Sequence, residues 1–196
     1  IFDEVVTAYG RVGEWFAAQH FNVQPDIIIT AKGITSGYIP LGAVLTTDAV
    51  AAELEKDFGF PMGFTYNGHP TAAAVALKNL EIIEEEGLLE KAKKMGQYLH
   101  EGLRTLLDLP IVGEVRFVGM MHAVELVTDK ESRTPLPMLQ PMLPDVIRRE
   151  EGVIVRDCAH NLVLSPPLIM TEEEADRMVA AMRKVLERTT PDGVIH

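Results

Sequence analysis

The chain contains, at residues 26–46, the stretch that decides its fold: DIIITAKGITSGYIPLGAVLT. Two short runs within it, 26–30 and 41–46, consist mainly of β-branched and other apolar residues and are bounded by proline or glycine. Such runs are typical of buried strands in an α/β sheet. The segment 31–40 between them is too rich in glycine and proline for a regular element, so we expect a loop that connects two strands.

Further helices and strands are predicted on both sides of this stretch. Residues 1–6 have the composition of a strand that the chain enters partway along. Apolar residues recur at helical spacing from 71 to 107, and Gly87 divides that pattern into two helices. The other predicted elements are a helix at 49–56 capped by Thr47 or Asp48, an irregular stretch at 58–70, strands at 111–115, 120–127, 153–155 and 162–164, a proline-rich connection at 135–144, and helices at 144–150 and after Thr171. The change from long helices to short strands predicts two domains, 1–108 and 109–196.

The composition excludes several classes of protein. The 196 residues carry 18 Lys+Arg against 29 Asp+Glu, a net charge of −11, which disfavours nucleic acid as a partner because phosphates need a basic footprint. No apolar run approaches the roughly 18 residues of a membrane span. Cys158 is the one cysteine, which excludes an internal disulfide and a multi-cysteine zinc site, and we expect a reducing compartment, the cytoplasm.

Lys32 is the first candidate for chemistry because it follows a hydrophobic strand directly and lies on an irregular loop. Taken alone, it is better explained as a solvated surface lysine. Its neighbours Gly33, Gly37 and Ser36 are small and leave room for a bulky group to approach the backbone. A lysine that binds a cofactor as a Schiff base requires such room.

Asp3 closes an apolar run, so a carboxylate stands at the carboxyl end of a predicted strand, where open α/β sheets bind ligands. Alone, this residue fits the cap of a turn as well. Together with Lys32 it gains a specific meaning. A pyridoxal-phosphate site needs both a Schiff-base lysine and an acid that keeps the pyridine nitrogen protonated.

Several motifs, in their order and spacing, resemble the class III pyridoxal-phosphate aminotransferases. They are Phe2-Asp3-Glu4-Val5, Pro25-Asp26-Ile27, Ala31-Lys32-Gly33, Gly37-Tyr38-Ile39-Pro40-Leu41-Gly42-Ala43, Thr65-Tyr66-Asn67-Gly68-His69-Pro70 and Ser165-Pro166-Pro167-Leu168. The resemblance runs over essentially the whole chain, which looks like the second half of such an enzyme. It implies fold type I, with 1–108 as the second half of the large cofactor-binding domain and 109–196 as the small C-terminal domain. The family's phosphate loop and ring-stacking aromatic residue are then expected upstream of Ile1, so the chain alone is expected to be inactive.

The resemblance also implies roles for individual residues. Asp3 pairs with the pyridine nitrogen, and Lys32 forms the Schiff base. Thr65 corresponds to the threonine that contacts the cofactor phosphate of the neighbouring subunit, which implies a homodimer with shared active sites. From the residues alone, Thr65 would instead be read as a helix cap, and His69 as structural.

Arg156 is the candidate for binding the substrate, since its planar guanidinium can bind both oxygens of a carboxylate. The alternative is a surface ion pair, for example with Asp157. In the resemblance, Arg156 falls where the ω-amino acid and amine:pyruvate branch has its mobile arginine, whereas ornithine-type members have an arginine at the position of Val163. Tyr9, Arg11 and Trp15 either line the site or belong to the core.

The chain departs from the family pattern in two places. The pair Ala159-His160 stands where the family has Gly-Asp, and Arg116-Phe117-Val118-Gly119 replaces an Arg-Gly-x-Gly pattern. These departures concern the geometry of the small domain and the setting of Arg156.

The expected function is transfer of an amino group from an ω-amino acid or amine to pyruvate or a similar 2-oxo acid, with pyridoxal 5′-phosphate as cofactor and no metal. Two alternatives stay open at this point. One is a related enzyme with the same cofactor, an aminomutase or a decarboxylase. The other is a catalytically incompetent fragment that acts only as a dimerisation module.

Overall fold

The computed structural model describes residues 1–56, 59, 62–137 and 142–196. Their contacts divide the chain into two compact units, Ile1–Glu90 and Lys91–His196. The boundary expected from the sequence, 108/109, lies later in the chain and stays a prediction. Among the described residues, no helix combines the length and the apolar character needed to cross a membrane.

The first unit contains a three-stranded sheet in the order β1-β2-β3. Its strands are β1 (Phe2–Asp3), β2 (Ile27–Thr30) and β3 (Ala43–Thr46). Strands β1 and β2 are parallel, with Asp3 opposite Ile29, whereas β3 is antiparallel to β2. The two strands predicted in the stretch 26–46 are therefore confirmed, and the segment between them connects antiparallel neighbours.

The described part of the first unit also contains the helices α1 (Ala17–His20), α2 (Asp48–Glu55) and α3 (Pro70–Glu85). The predicted break at Gly87 is confirmed, since this glycine has a φ of +60° and separates α3 from α4 (Leu88–Arg104). Thr47 is the N-cap residue of α2, but its side chain makes no capping hydrogen bond. Part of the irregular stretch predicted at 58–70 falls outside the described residues.

The second unit contains an antiparallel sheet in the order β4-β5-β8-β7, with β6 paired to β5. Its strands are β4 (Val112–Val118), β5 (Met121–Asp129), β6 (Thr134–Pro135), β7 (Arg156–Cys158) and β8 (Asn161–Leu164), and its further helices are α5 (Leu143–Glu151) and α6 (Glu172–Leu186). Helix α6 begins with a capping box, in which Thr171 and Glu174 bond each other's backbone N–H groups. Part of the predicted proline-rich connection, 138–141, lies outside the described residues.

One apolar core holds this unit together. Its fully buried members include Leu99 and Leu103 of α4, Ile147 of α5 and Met182 of α6, which pack against the sheet. Burying one side chain of this size contributes about 1.5–3 kcal/mol. The backbone of the β7–β8 hairpin is thus carried by a continuous core.

The strand predicted at 153–155 is wrong. Val153 and Val155 are buried, but the backbone there is not paired, and strand β7 begins only at Arg156. Side-chain burial alone produced the strand-like alternation, because an extended segment that leads into a sheet packs its apolar residues against the core in the same way. Arg156 therefore lies on a strand and does not follow one.

Candidate active site

Asp3 and Lys32 lie at the same edge of the first sheet. Asp3 is the last residue of β1 and is opposite Ile29 in the parallel register, and Lys32 follows the end of β2 by two residues. Both side chains are exposed. Since parallel strands end at the same edge of a sheet, a carboxylate and an amine follow neighbouring strands at the edge where such sheets bind ligands.

The backbone at Lys32 has an unusual conformation. Lys32 has a φ of +44° and begins a short 3₁₀ helix, Lys32–Thr35, whose following residue Ser36 has a φ of +48°. The segment predicted as an irregular loop thus contains one helical turn. A side-chain-bearing residue in the left-handed region costs on the order of 1–3 kcal/mol and persists only where its surroundings enforce it.

The segment after β1 packs directly against this turn. The hydroxyl of Tyr9 donates to Thr30 Oγ1 at 3.0 Å, and Thr30 in turn donates to the carbonyl of Ala43 at 3.4 Å. A Cβ at Gly33 would lie 3.3 Å from the carbonyl oxygen of Ala8 and from the Tyr9 side chain. A side chain at Gly33 would therefore be crowded, and Tyr9 packs against the lysine turn from the core.

Asp3 is followed by a buried carboxylate, Glu4, which is 1% exposed. Glu4 accepts hydrogen bonds from the backbone N–H groups of Ala17 and Ala18, both at 2.8 Å, and from the hydroxyl of Thr7. Its own backbone N–H donates to Ile29 at 2.8 Å. Glu4 thus ties the end of β1 to the first turn of α1, beside the residue expected to meet the cofactor.

Asp3 itself does cap a turn, because its Oδ1 accepts from the N–H of Val5 at 3.0 Å. Its other oxygen has no hydrogen-bond partner within the described part of the chain. Tyr9 is buried, as is much of Arg11, and burial lowers the pKa of the Arg11 guanidinium. Tyr9 supports the site from the core side through its contacts with Thr30 and Gly33.

Asn79, in the middle of α3, is a site residue that the sequence analysis missed. Its Nδ2 donates to the carbonyls of Gly33 at 2.9 Å and Ile34 at 3.2 Å, and its Oδ1 accepts from the hydroxyl of Ser36 at 2.7 Å. One signal could have found it. Asparagine is a poor helix former, so its presence in the interior of an otherwise apolar and charged helix asks for a reason.

Thr65 lies in the turn 65–68 that precedes α3, and its side chain is exposed. Its hydroxyl makes no hydrogen bond to any described residue. The alternative role for Thr65 was that of a helix cap. The cap of α3 is instead His69, whose Nδ1 accepts a hydrogen bond from Ala72 N–H at 3.4 Å, and Pro70 is the first helical residue. His69 is structural, as expected, and Thr65 is left available.

Arg156 begins β7, and its side chain is exposed. The ion pair with Asp157 that the sequence allowed is not formed, and Arg156 has no other ion pair to a described residue. Directly opposite in the antiparallel register lies Val163 of β8. The two positions at which the family resemblance offers an arginine are therefore cross-strand partners on one face of the sheet.

The departure at Ala159-His160 forms the two-residue turn between β7 and β8. Ala159 has a φ of +54°, a conformation that glycine adopts without strain, which explains why glycine suits this position. His160 Nε2 lies 3.6 Å from Oε1 of Glu125, which also binds Arg133 at 2.5 Å. An aspartate in place of His160 would put a second negative charge beside Glu125.

The departure at Phe117 fills a space between α4 and the sheet. Its ring stacks on His100 with centroids 4.0 Å apart and on His122 at 5.6 Å, both at interplanar angles of 18°. Burial, and then the charge of Arg104, lower the pKa of His100. Phe117 therefore replaces a glycine with a packed ring.

Comparison with known proteins identifies the family. The chain matches the class-III aminotransferase family over residues 1–186. It is 41% identical over 194 residues to a putrescine–pyruvate aminotransferase of Pseudomonas aeruginosa, covering 96% of this chain and 42% of that protein. It is 36% identical over 195 residues to gamma aminobutyrate transaminase 3 of Solanum lycopersicum, covering 96% of this chain and 38% of that protein.

Solved structures agree. A thermostable (S)-enantioselective omega-transaminase from Thermomicrobium roseum superimposes with a TM-score of 0.87 at 46% identity, over 92% of this chain and 41% of that chain. The omega-transaminase from Pseudomonas jessenii in complex with PMP gives 0.85 at 40%, over 92% and 41%. The chain thus spans about two fifths of the length of these relatives and has, in part, the α/β architecture of the pyridoxal-phosphate-dependent transferase fold type I. It belongs to the class-III aminotransferases, a family that depends on pyridoxal 5′-phosphate.

Proposed function

We propose that the protein carrying this chain is an aminotransferase that moves an amino group from an ω-amino acid or amine to pyruvate or a similar 2-oxo acid. The observation that carries the proposal is the pair Asp3 and Lys32 at the carboxyl ends of adjacent parallel strands. Its relatives include a putrescine–pyruvate aminotransferase and several omega-transaminases, which supports an amine donor and a pyruvate-like acceptor.

The residues at this edge fit pyridoxal 5′-phosphate by the chemistry of their donor set. The carboxylate of Asp3 would hold a proton on the pyridine nitrogen, and the amine of Lys32 would bind the aldehyde carbon as a Schiff base. When bound, the cofactor supplies an aldehyde that captures amino groups and a ring that accepts electrons. When not bonded to the cofactor, Lys32 Nζ would be the base that takes the proton from the substrate carbon.

Thr65 would serve the phosphate of the cofactor. A free hydroxyl in a glycine-containing turn before a helix of 16 residues is suited to an anion, because the helix N-terminus presents backbone N–H groups. Following the family resemblance, we assign this contact to the neighbouring subunit's cofactor and propose a homodimer. Sedimentation of the active full-length protein as a monomer would contradict this assignment.

Arg156 would bind the carboxylate of the amino acceptor. Its guanidinium is exposed and makes no ion pair to a described residue, so a substrate carboxylate does not have to displace a bound partner. The single cysteine, Cys158, is free and exposed, and we propose a reducing compartment, the cytoplasm, as the location.

The proposal is tested on the full-length protein with putrescine and pyruvate. The amino nitrogen leaves the donor as it becomes an aldehyde and arrives on C2 of pyruvate, so alanine must form in equal amount to the aldehyde. An aminomutase would rearrange its amino acid without pyruvate, and a decarboxylase would release CO₂. Either of these outcomes without alanine formation, over a panel of amines and ω-amino acids, would refute the aminotransferase.

A further inference from the structure

We propose that Asn79 is a positioning residue for Lys32: helix α3 holds the turn after β2 in its left-handed geometry through the Asn79 side chain, and so fixes the point from which the lysine amine extends. The catalytic meaning of this inference rests on the proposed function. The positioning itself is a property of the chain and is tested separately below.

The amide of Asn79 spans the whole turn. It donates from Nδ2 to the carbonyls of Gly33 at 2.9 Å and Ile34 at 3.2 Å, and it accepts at Oδ1 from Ser36 at 2.7 Å. A carbonyl oxygen can only accept, so the NH₂ group must face the backbone, and the orientation of the amide is fixed by chemistry. The first of these carbonyls belongs to the residue that follows Lys32.

The turn needs such support because its own hydrogen bonds are long. Ile34 N–H donates to Ala31 at 3.2 Å and Ser36 N–H donates to Gly33 at 3.3 Å, near the weak end of the range. Lys32 and Ser36, at its two ends, both have positive φ. Two side-chain-bearing residues in the left-handed region require outside constraint.

The three contacts of Asn79 are placed at the points where that constraint is needed. The two acceptor carbonyls lie inside the turn, and the donor hydroxyl belongs to the second strained residue, Ser36. Tyr9 restrains the turn from the side of the core through Gly33. Helix α3 therefore supplies, through one side chain, a second restraint on the same backbone.

Asn79 has no competing explanation as a helix residue. It is half-buried at the tenth of 16 positions of α3, far from either end, so it is not a cap. Alanine or leucine would suit the helix better. Asparagine lowers the helix propensity at this position, and the hydrogen bonds of its side chain to the lysine turn offset that cost.

The experiment measures how the turn and its lysine respond in the full-length protein stripped of cofactor. Variants are Asn79→Ala, which removes all three bonds, Asn79→Asp, which can accept from Ser36 but cannot donate to the carbonyls, and Ser36→Ala, which removes one. Lys78→Ala, an exposed neighbour on the same helix, is the matched control. Two quantities are followed, amide hydrogen exchange over 33–38 and the rate at which Lys32 is modified by pyridoxal and cyanoborohydride.

Pyridoxal and cyanoborohydride modify any accessible lysine, so the rate is read at Lys32 by peptide mapping. The lysine ε-amine condenses with the aldehyde of pyridoxal and releases one water, and hydride from cyanoborohydride reduces the C=N bond to a stable secondary amine. Pyridoxal lacks the phosphate group, so its rate does not depend on a phosphate site. The adduct is located by peptide mapping, and the midpoint of thermal unfolding is recorded for every variant.

In Asn79→Ala and Asn79→Asp, we expect the amides at 33–38 to exchange at least about tenfold faster and the modification rate of Lys32 to change about tenfold. In Ser36→Ala, we expect both rates to change about two- to fivefold. In Lys78→Ala, we expect both rates to stay at wild-type values. In the holoenzyme of the Asn79 variants, kcat per titrated cofactor-loaded site falls while KM for pyruvate stays within about twofold, and this normalisation removes any loss that comes from unfolded enzyme.

Wild-type exchange and modification in Asn79→Ala would overturn the proposal. Should that variant fail to fold, Ser36→Ala decides, since Ser36 is exposed and wild-type behaviour there removes the claim. If pyridoxal labels Lys32 in the wild type no faster than exposed lysines such as Lys56 and Lys78, the proposed function is at fault, and the exchange data at 33–38 still decide on Asn79.

Discussion

The turn that carries Lys32 and the hairpin that carries Arg156 are held in opposite ways. Around Lys32, hydrogen bonds from Tyr9 and Asn79 and the close approach of Gly33 fix the backbone from several directions. Arg156 lies on the edge strand of its sheet, and its guanidinium has no ion pair to a described residue. A group that must reach one atom in every turnover gains from being fixed, whereas a group that meets different carboxylates gains from freedom.

The packing of the two units agrees with this difference. The second unit has a continuous apolar core that includes Leu162 and Leu164 of β8, so the hairpin backbone is stable without polar restraints on Arg156. In the first unit, the buried polar groups Glu4, Thr30 and Thr35 lie next to the proposed site and each makes hydrogen bonds. Hydrogen bonds therefore contribute to the position of the backbone next to the proposed site, and single substitutions can remove them.

The largest effect is expected from removing the fixed amine. Lys32→Ala should reduce transamination by at least about 10³-fold, because in the proposed function both the attachment of the cofactor and the proton transfer depend on Nζ. Single-turnover rates with an amine donor measure this, with Lys56→Ala, an exposed lysine of the same unit, as the control. A single-turnover rate of Lys32→Ala within tenfold of the wild-type rate would show that Lys32 is not the fixed catalytic amine assumed in this comparison.

The next effect concerns the carboxylate beside the amine. Asp3→Asn should lower turnover by about 10²-fold while folding is spared, because an amide cannot hold the ring nitrogen protonated and the side chain is exposed. Asp26→Asn, an exposed aspartate just before the start of the neighbouring strand β2, is the matched control. Near-normal turnover of Asp3→Asn would show that the electron-sink role is wrong.

A smaller effect, selective for the amino acceptor, is expected from removing the Arg156 side chain. A hydrogen bond to a charged group contributes about 1.5–3 kcal/mol, so Arg156→Ala should slow the half-reaction with pyruvate roughly ten- to a hundredfold. The half-reaction with an arylalkyl amine should lose much less, because that donor has no carboxylate. Two single-turnover half-reactions measure the difference, with Arg149→Ala on α5 as control, and equal losses would mean that Arg156 acts structurally.

The smallest effect is expected at Ala159, where the strained backbone lies outside the proposed site. Lys32 and Ala159 both have positive φ, but Ala159 lies at the tip of the β7–β8 turn and holds no functional side chain. Ala159→Gly should stabilise the full chain by about 0.5–1 kcal/mol, since relief of the left-handed strain exceeds the entropy cost of glycine. Denaturant unfolding measures this, and a loss of stability would contradict the strain assigned to the turn.

The sequence predicted well those elements whose signals are local. The break at Gly87 and the cap at Thr171 depend on glycine conformation and on the spacing of one capping pair, and both were found where expected. The strand assigned to 153–155 failed because burial was mistaken for pairing. Pairing is a property of the neighbouring strand, and β8 forms its ladder with 156–158.

The sequence indicated the proposed reactive groups of the candidate site, but not the residues that hold them in position. Asp3 and Lys32 could be selected because strand ends and glycine-rich loops mark them in the sequence. Asn79 lies 43 to 46 residues from its three partners and is joined to them only by the fold. The same holds for Tyr9, because no local sequence pattern predicts its contact with Thr30.

The central claim is that Lys32 is the residue to which the cofactor attaches, and chemical trapping tests it most directly. The full-length protein is treated with pyridoxal 5′-phosphate, reduced with borohydride and digested with trypsin. Trypsin does not cleave after a modified lysine, so attachment at Lys32 predicts a pyridoxyl peptide that spans 12–56 and is absent from Lys32→Ala. A pyridoxyl group on any other lysine, with 12–32 released unmodified, would contradict the account.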